Sequence, residues 1–167
     1  MYSEKMKGAL EREISNLNIF EQYLISWAQN VGLRKNVVHH QSEKQSIIEF
    51  LFSKYQSFQL YIAENFIYSK IKTSLGLVKA RLCISSAAPL SNDILNFFAG
   101  FDIPIYAVFG QSECSGPHTT CTVGDWRPGY CGKPLPGTES KVLVGNNELC
   151  YRGRHIFLGY MVLSLNY

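Results

Sequence analysis

The stretch "VFGQSECSGPH", residues 108–118, packs two glycines, two serines, a glutamate, a cysteine, a proline and a histidine into eleven positions. A purely structural turn rarely needs that variety. Gly110, Ser112 and Glu113 offer backbone amides, a hydroxyl and a carboxylate. Amides and hydroxyls suit phosphate oxygens. A carboxylate beside a phosphate implies a bridging Mg²⁺, because two anions otherwise repel. A second stretch, "SSAAPL" at 85–90, is built of small residues that let a flat ring approach the backbone. The ligand these two stretches suggest is a nucleotide with magnesium.

Two other chemistries compete for the same residues. Gly110-Gln111-Ser112-Glu113-Cys114 has the outline of a nucleophile elbow, but a cysteine stands where the closing glycine belongs, and crowding argues against a hydrolase serine. Cys114, His118, Cys121 and Cys131 form C-x₃-H-x₂-C-x₉-C, four zinc-type ligands at a spacing outside the familiar C-x₂-C forms. His39 and His40 are adjacent, so they do not share a helix face, and a solvated loop is the plainer reading.

The elements that must position these residues follow from pattern. Met6, Leu10, Ile14, Leu17, Phe20, Leu24, Trp27 and Val31 recur at steps of three and four, predicting a helix over 3–31, capped by Ser3 and ended by Gly32. Residues 33–43 read as a loop. A second helical region, dense in aromatics, runs from Ser46 to Leu75 with a break near 56–59 and stops at Gly76. Then the period changes. "VKARLCIS" reads as a strand, "SNDILNFFAGF" as a helix capped by Ser91, and "IPIYAVFG" as a second strand with Pro104 at its start. Strand, turn, helix, strand is the βαβ unit of a parallel sheet. In such sheets ligands bind beyond the carboxyl ends of the strands, where both special stretches lie. "SKVLV" and "ELCYR" read as a small antiparallel pair.

Composition sets the class. The 167 residues are 46% hydrophobic and 17% charged, with ten Tyr, ten Phe and two Trp, so the chain is globular and has wide apolar surface to bury. Net charge is +3 without a basic run, which argues against a nucleic-acid partner. Charged residues among the first twenty leave no apolar signal region, and no stretch is long enough for a transmembrane segment. Five cysteines without paired spacing suggest free thiols and a cytoplasmic setting.

The run "LCISSAAPLSNDILNFFAGFDIPIYAVFGQSECSGPHT" resembles the adenylate-forming (AMP-binding) acyl-CoA synthetases, and within them the bubblegum-type long-chain fatty acid–CoA ligases. The family's G-A-A-P-L turn corresponds to Ser86-Ala87-Ala88-Pro89-Leu90, and its Y-G-x-S/T-E motif to Phe109-Gly110-Gln111-Ser112-Glu113. "SGPHT" is characteristic of the bubblegum branch. "CGKPLPGTESKV" and "NELCYRGRHIFLGY" resemble the later motifs G-K-P-x-P-G and G-E-L-C-x-R-G-x-x-x-x-x-G-Y, and "YSEKMK" resembles the segment after the phosphate loop.

The resemblance implies a role for each matched position. Ser86, Ala87, Ala88 and Pro89 line the adenine and ribose pocket. Val108, Phe109, Gly110, Gln111 and Ser112 complete it, with Phe109 stacked near adenine and Ser112 at the α-phosphate. Ser112 and Glu113 are the catalytic positions, and Glu113 holds Mg²⁺ through ATP. Phe97, Phe98 and Phe101 are candidates for the acyl tunnel. Departures are Phe109 for tyrosine, and Ser86 and Asn147 for glycines.

The implied fold class is α/β: part of the large N-terminal domain of an adenylate-forming enzyme. A helical half precedes a βαβ unit and a small antiparallel segment; residues 1–160 belong to the AMP-binding domain and 161–167 to a tail outside it. The implied reaction joins fatty acid and CoA at the expense of ATP, giving acyl-CoA, AMP and diphosphate. The family's Ser/Thr/Gly-rich lysine loop, its G-W-x-x-T-G-D segment and its C-terminal lysine domain do not occur within these residues. The isolated chain is therefore expected to be an inactive central slice, with a non-catalytic interaction protein as the alternative. Family members are often associated with cytoplasmic or endoplasmic-reticulum membranes, which carries over as peripheral association; nothing here is an anchor.

Overall fold

The structure is a computed structural model. It describes residues 2–37, 47–122 and 124–161, and the side chains of all of these except 47–54. The His39–His40 pair, the side chains of Phe50 and Phe52, and the tail from 162 lie outside the described residues.

The first helical region is two helices, α1 (Tyr2–Ser15) and α2 (Ile19–Val37). The break has a local cause that an apolar stripe does not reveal. Asn18 Oδ1 accepts the Glu21 amide at 2.9 Å and Glu21 Oε2 accepts the Asn18 amide at 3.2 Å, a reciprocal capping box that restarts the helix. Ser3 lies inside α1 and is not its cap. Gly32 does not end α2, which continues to Val37 through part of the expected loop. Its function is contact. A Cβ at Gly32 would sit 2.1 Å from the Gly100 carbonyl oxygen, so the glycine lets α2 cross α5 (Asn92–Gly100) with backbones touching.

The second helical region comprises α3 (Ile47–Ala63), a π-helical turn (Glu64–Tyr68) and α4 (Ser69–Ser74). The irregularity falls at 64–68 instead of the expected 56–59. That turn aims Tyr68 inward, where it is 1% exposed and its hydroxyl donates to the Ala28 carbonyl at 2.7 Å. Burial pushes the Tyr68 hydroxyl well above the usual tyrosine range. The region ends at Gly76, at φ 71, as expected.

Strand β1 (Cys83–Ser85) is shorter than the run that suggested it. It pairs parallel with β2 (Ile105–Gln111), with α5 as the crossover, so the βαβ unit is present. Ser91 holds the N-cap position of α5 without a side-chain cap bond. β2 pairs antiparallel with β3 (Gly116–Thr120), and β3 with β4 (Lys133–Pro134), giving the order β1-β2-β3-β4. The expected antiparallel pair is β5 (Thr138–Val142) with β6 (Leu149–Gly153), Ser140 opposite Tyr151. Asn147, where the resemblance has glycine, keeps a left-handed φ of 56 in the turn before β6, a conformation asparagine tolerates.

The core lies where α5 meets the sheet and α2. Phe98, Phe101, Leu95, Ile94 and Ile105 are buried there with Trp126, whose indole N–H donates to the Ile105 carbonyl at 2.7 Å. Asp102, at φ 57, ties the helices together beside it. Lys35 Nζ donates to both its oxygens at 2.8 and 2.9 Å, and Asn36 donates to Oδ1 at 3.3 Å and to the Ala99 carbonyl at 2.9 Å.

Candidate active site

Parallel pairing of β1 with β2 sets Ser85 across from Ala107, so both motif stretches leave one edge of the sheet as neighbours. After Ser85 the chain turns through Ser86, Ala87, Ala88 and Pro89, all exposed. Ala87 holds φ at 72, a conformation a residue with a Cβ seldom adopts. A cavity of about 530 Å³ opens beside this turn, lined by Ser86, Ala88 and Pro89 with Tyr2, Phe98 and Ile105. Residues 108–113 are not among its walls.

The strand expected over 103–110 is β2, which runs one residue further into the second stretch. Val108, Phe109, Gly110 and Gln111 belong to β2. The ladder to β3 shifts register between Phe109 and Gly110, a bulge that re-aims the end of the strand. Gly110 is required there, because a Cβ would meet the Gly116 carbonyl oxygen at 2.1 Å. Ser112–Cys114 then form one 3₁₀ turn closed by Ser115 at φ 54. Ser112 is exposed.

Glu113 is tethered from beyond β6. Its backbone carbonyl accepts the Phe157 amide at 2.9 Å, and the Tyr160 hydroxyl donates to its Oε1. Phe157 and Tyr160 pack edge to face at 4.8 Å, which fixes the donor. The Tyr160 hydrogen bond holds the Glu113 carboxyl below the usual range and pushes the tyrosine hydroxyl up. An accessible carboxylate kept ionised is a suitable ligand for a hard divalent cation, so the residues present fit Mg²⁺.

The sequence model for AMP-binding enzymes matches residues 32–161. The chain belongs to the AMP-binding enzyme family. Its matched stretch contains both turns at the sheet edge. The likeness to long-chain fatty acid–CoA ligases is borne out as well. Long-chain-fatty-acid–CoA ligase ACSBG2 of Mus musculus is 32% identical over 162 residues, covering 95% of this chain and 23% of that protein. The Homo sapiens protein of the same name is 39% identical over 140 residues, covering 81% of this chain and 19% of that one. The family chain described here thus spans about a fifth of the length of these relatives. Among solved structures, a benzoate CoA ligase from Burkholderia xenovorans LB400 aligns with a TM-score of 0.45 at 23% identity, covering 56% of this chain and 22% of that one. The anthranilate CoA ligase AuaEII in complex with anthranoyl-AMP gives 0.43 at 23%, covering 48% and 17%.

Of the acyl-tunnel candidates in this family chain, Phe98 lines the cavity, Phe101 is fully buried, and Phe97 packs edge to face on both at 5.4 and 5.3 Å. The C-x₃-H-x₂-C-x₉-C set is not assembled. Cys121 Sγ donates to the Tyr130 carbonyl at 3.0 Å and Cys131 is exposed. His155 is the residue that reaches His118. His155 is a site residue the motifs did not single out, and Tyr160, the last position of the matched G-E-L-C-x-R-G-x-x-x-x-x-G-Y motif, was not foreseen as a partner of Glu113. The β5–β6 pairing was the available signal for His155, since it carries the chain back past β3.

Proposed function

We propose that this chain is the nucleotide-facing segment of a long-chain fatty acid–CoA ligase. The parallel β1–β2 register carries the reading, because it makes neighbours of the two turns whose residues suit a nucleotide. Ser86, Ala87, Ala88 and Pro89 receive adenine and ribose, Phe109 offers its ring face, and Ser112 addresses the α-phosphate. Glu113 would hold Mg²⁺, which when bound neutralises phosphate charge.

The fatty carboxylate attacks the α-phosphorus of ATP and pyrophosphate leaves. The CoA thiol then attacks the acyl carbonyl carbon and AMP leaves. Donors aimed at the phosphoryl oxygens stabilise the charge of the first step, and loss of one such contact costs about a hundredfold or more. Family membership and the relatives' names support the substrate class.

The 167 residues contain one half of that arrangement, so acyl-CoA formation by this chain alone stays at background. The test is fatty-acid-dependent exchange of pyrophosphate into ATP by the segment joined to the remaining motifs. Glu113→Ala should lower exchange about a hundredfold. Exchange unaffected by that substitution would overturn the reading, and acyl-CoA made by the isolated chain would overturn the claim of inactivity.

A further inference from the structure

We propose that Cys114, His118 and His155 form a zinc-binding site that ties the Ser112–Cys114 turn to the β5–β6 hairpin. Their ligand atoms lie within 4.8 Å of one another, and no other such group of three occurs among the described residues. The proposal stands independently of the ligase reading.

The three residues come from separate elements: the 3₁₀ turn, β3, and the segment just after β6. Cys114 is 1% exposed and His118 is fully buried. His118 Nδ1 and His155 Nε2 face each other at 3.0 Å with the rings nearly parallel, at 7°. Two imidazole nitrogens that close share one proton or one metal ion. Tetrahedral zinc with Zn–N bonds of about 2.05 Å sets its nitrogens about 3.3 Å apart, so a shift of a few tenths of an ångström admits the ion.

The surroundings match what metal ligands require. The other nitrogen of His118, Nε2, lies 2.7 Å from Ser140 Oγ, which orients the ring and fixes its tautomer. The Tyr151 ring covers His118 at 5.1 Å between centroids. Gly153 is essential to this packing, because a Cβ there would meet His155 Nδ1 at 2.6 Å. One thiolate and two imidazoles suit zinc by donor type, and three protein ligands leave a fourth position for water.

The purified full chain, dialysed against Zn²⁺ and then metal-free buffer, should retain about one zinc per chain by elemental analysis. Cys114→Ser and His155→Ala should each weaken binding at least about a hundredfold, whereas His155→Cys, which keeps a donor, should retain the ion. Co²⁺ in place of zinc should give a thiolate-to-cobalt charge-transfer band and the visible bands of a four-coordinate ion. Should a variant fail to fold, the cobalt spectrum of the wild-type chain decides: the band supports the site and its absence overturns it. Zinc retained equally by Cys114→Ser and His155→Ala would place the ion elsewhere and overturn the proposal.

Discussion

The helical half and the sheet half of this molecule treat their side chains in opposite ways. In the sheet half several chemically able groups are enclosed: Cys114, His118 and Trp126 are all at most 5% exposed. In the helices, large apolar groups face outward: Phe20 is 69% exposed, Tyr23 70%, Phe58 63% and Phe66 65%. A groove of about 570 Å³ between α1, α2 and the Glu64–Ser74 segment is lined by Leu10, Ile14, Leu24, Trp27 and Phe66. The two halves meet at the Gly32–Gly100 crossing and at Asp102. The contrast teaches that the aromatic richness of the chain is only partly spent on its own core, and that order at the sheet edge rests on a small set of tightly packed residues.

The sharpest way to break that contrast is to empty the shared core. Phe98→Ala should cost about 3–5 kcal/mol, while Phe58→Ala on the exposed face should stay within about 0.5 kcal/mol. Chemical denaturation of both variants checks this. Comparable losses would mean that the helical aromatics are buried in the working protein. Next in size is Gly32→Ala, expected to cost about 1–3 kcal/mol because α2 and α5 must separate. A neutral result would contradict the close crossing.

Tyr68 provides a pH test of the same junction. Its pKa in the folded chain is raised by burial, so its contribution is complete below the unfolded value of about 10 and is lost as pH rises toward the folded one. Tyr68→Phe should lower stability at neutral pH by about 1 kcal/mol, through the lost bond to Ala28, and should flatten the alkaline decline. An unchanged alkaline limb in thermal melts would count against the buried hydroxyl. The smallest effect is kinetic. Exposed Cys131 should alkylate before buried Cys114 and Cys121, which mass spectrometry of partially labelled chain would resolve.

What could be read from the sequence divides along the same line. Gly110, Glu113 and the small-residue turn were legible because their chemistry is local and their spacing is short. The β5–β6 pair was legible from alternation between turn residues. The breaks in the helices were not, because an apolar stripe runs through Asn16–Asn18 without recording the Asn18–Glu21 cap. Gly32 reads as a stop until α5 lies against it. The second strand was legible as far as Gly110, but its bulge was not, because the register shift depends on the β3 partner. The His155–His118 and Tyr160–Glu113 contacts span 37 and 47 residues of chain, which no local pattern encodes.

The central claim is that the two neighbouring turns at the end of β1 and β2 hold a nucleotide. The most direct measurement is amide chemical-shift mapping of the chain on titration with a non-hydrolysable long-chain acyl-adenylate analogue and Mg²⁺. Saturable shifts concentrated at residues 86–88 and 108–113 are the predicted result. Binding that leaves both turns unshifted, or no binding at all, would contradict it.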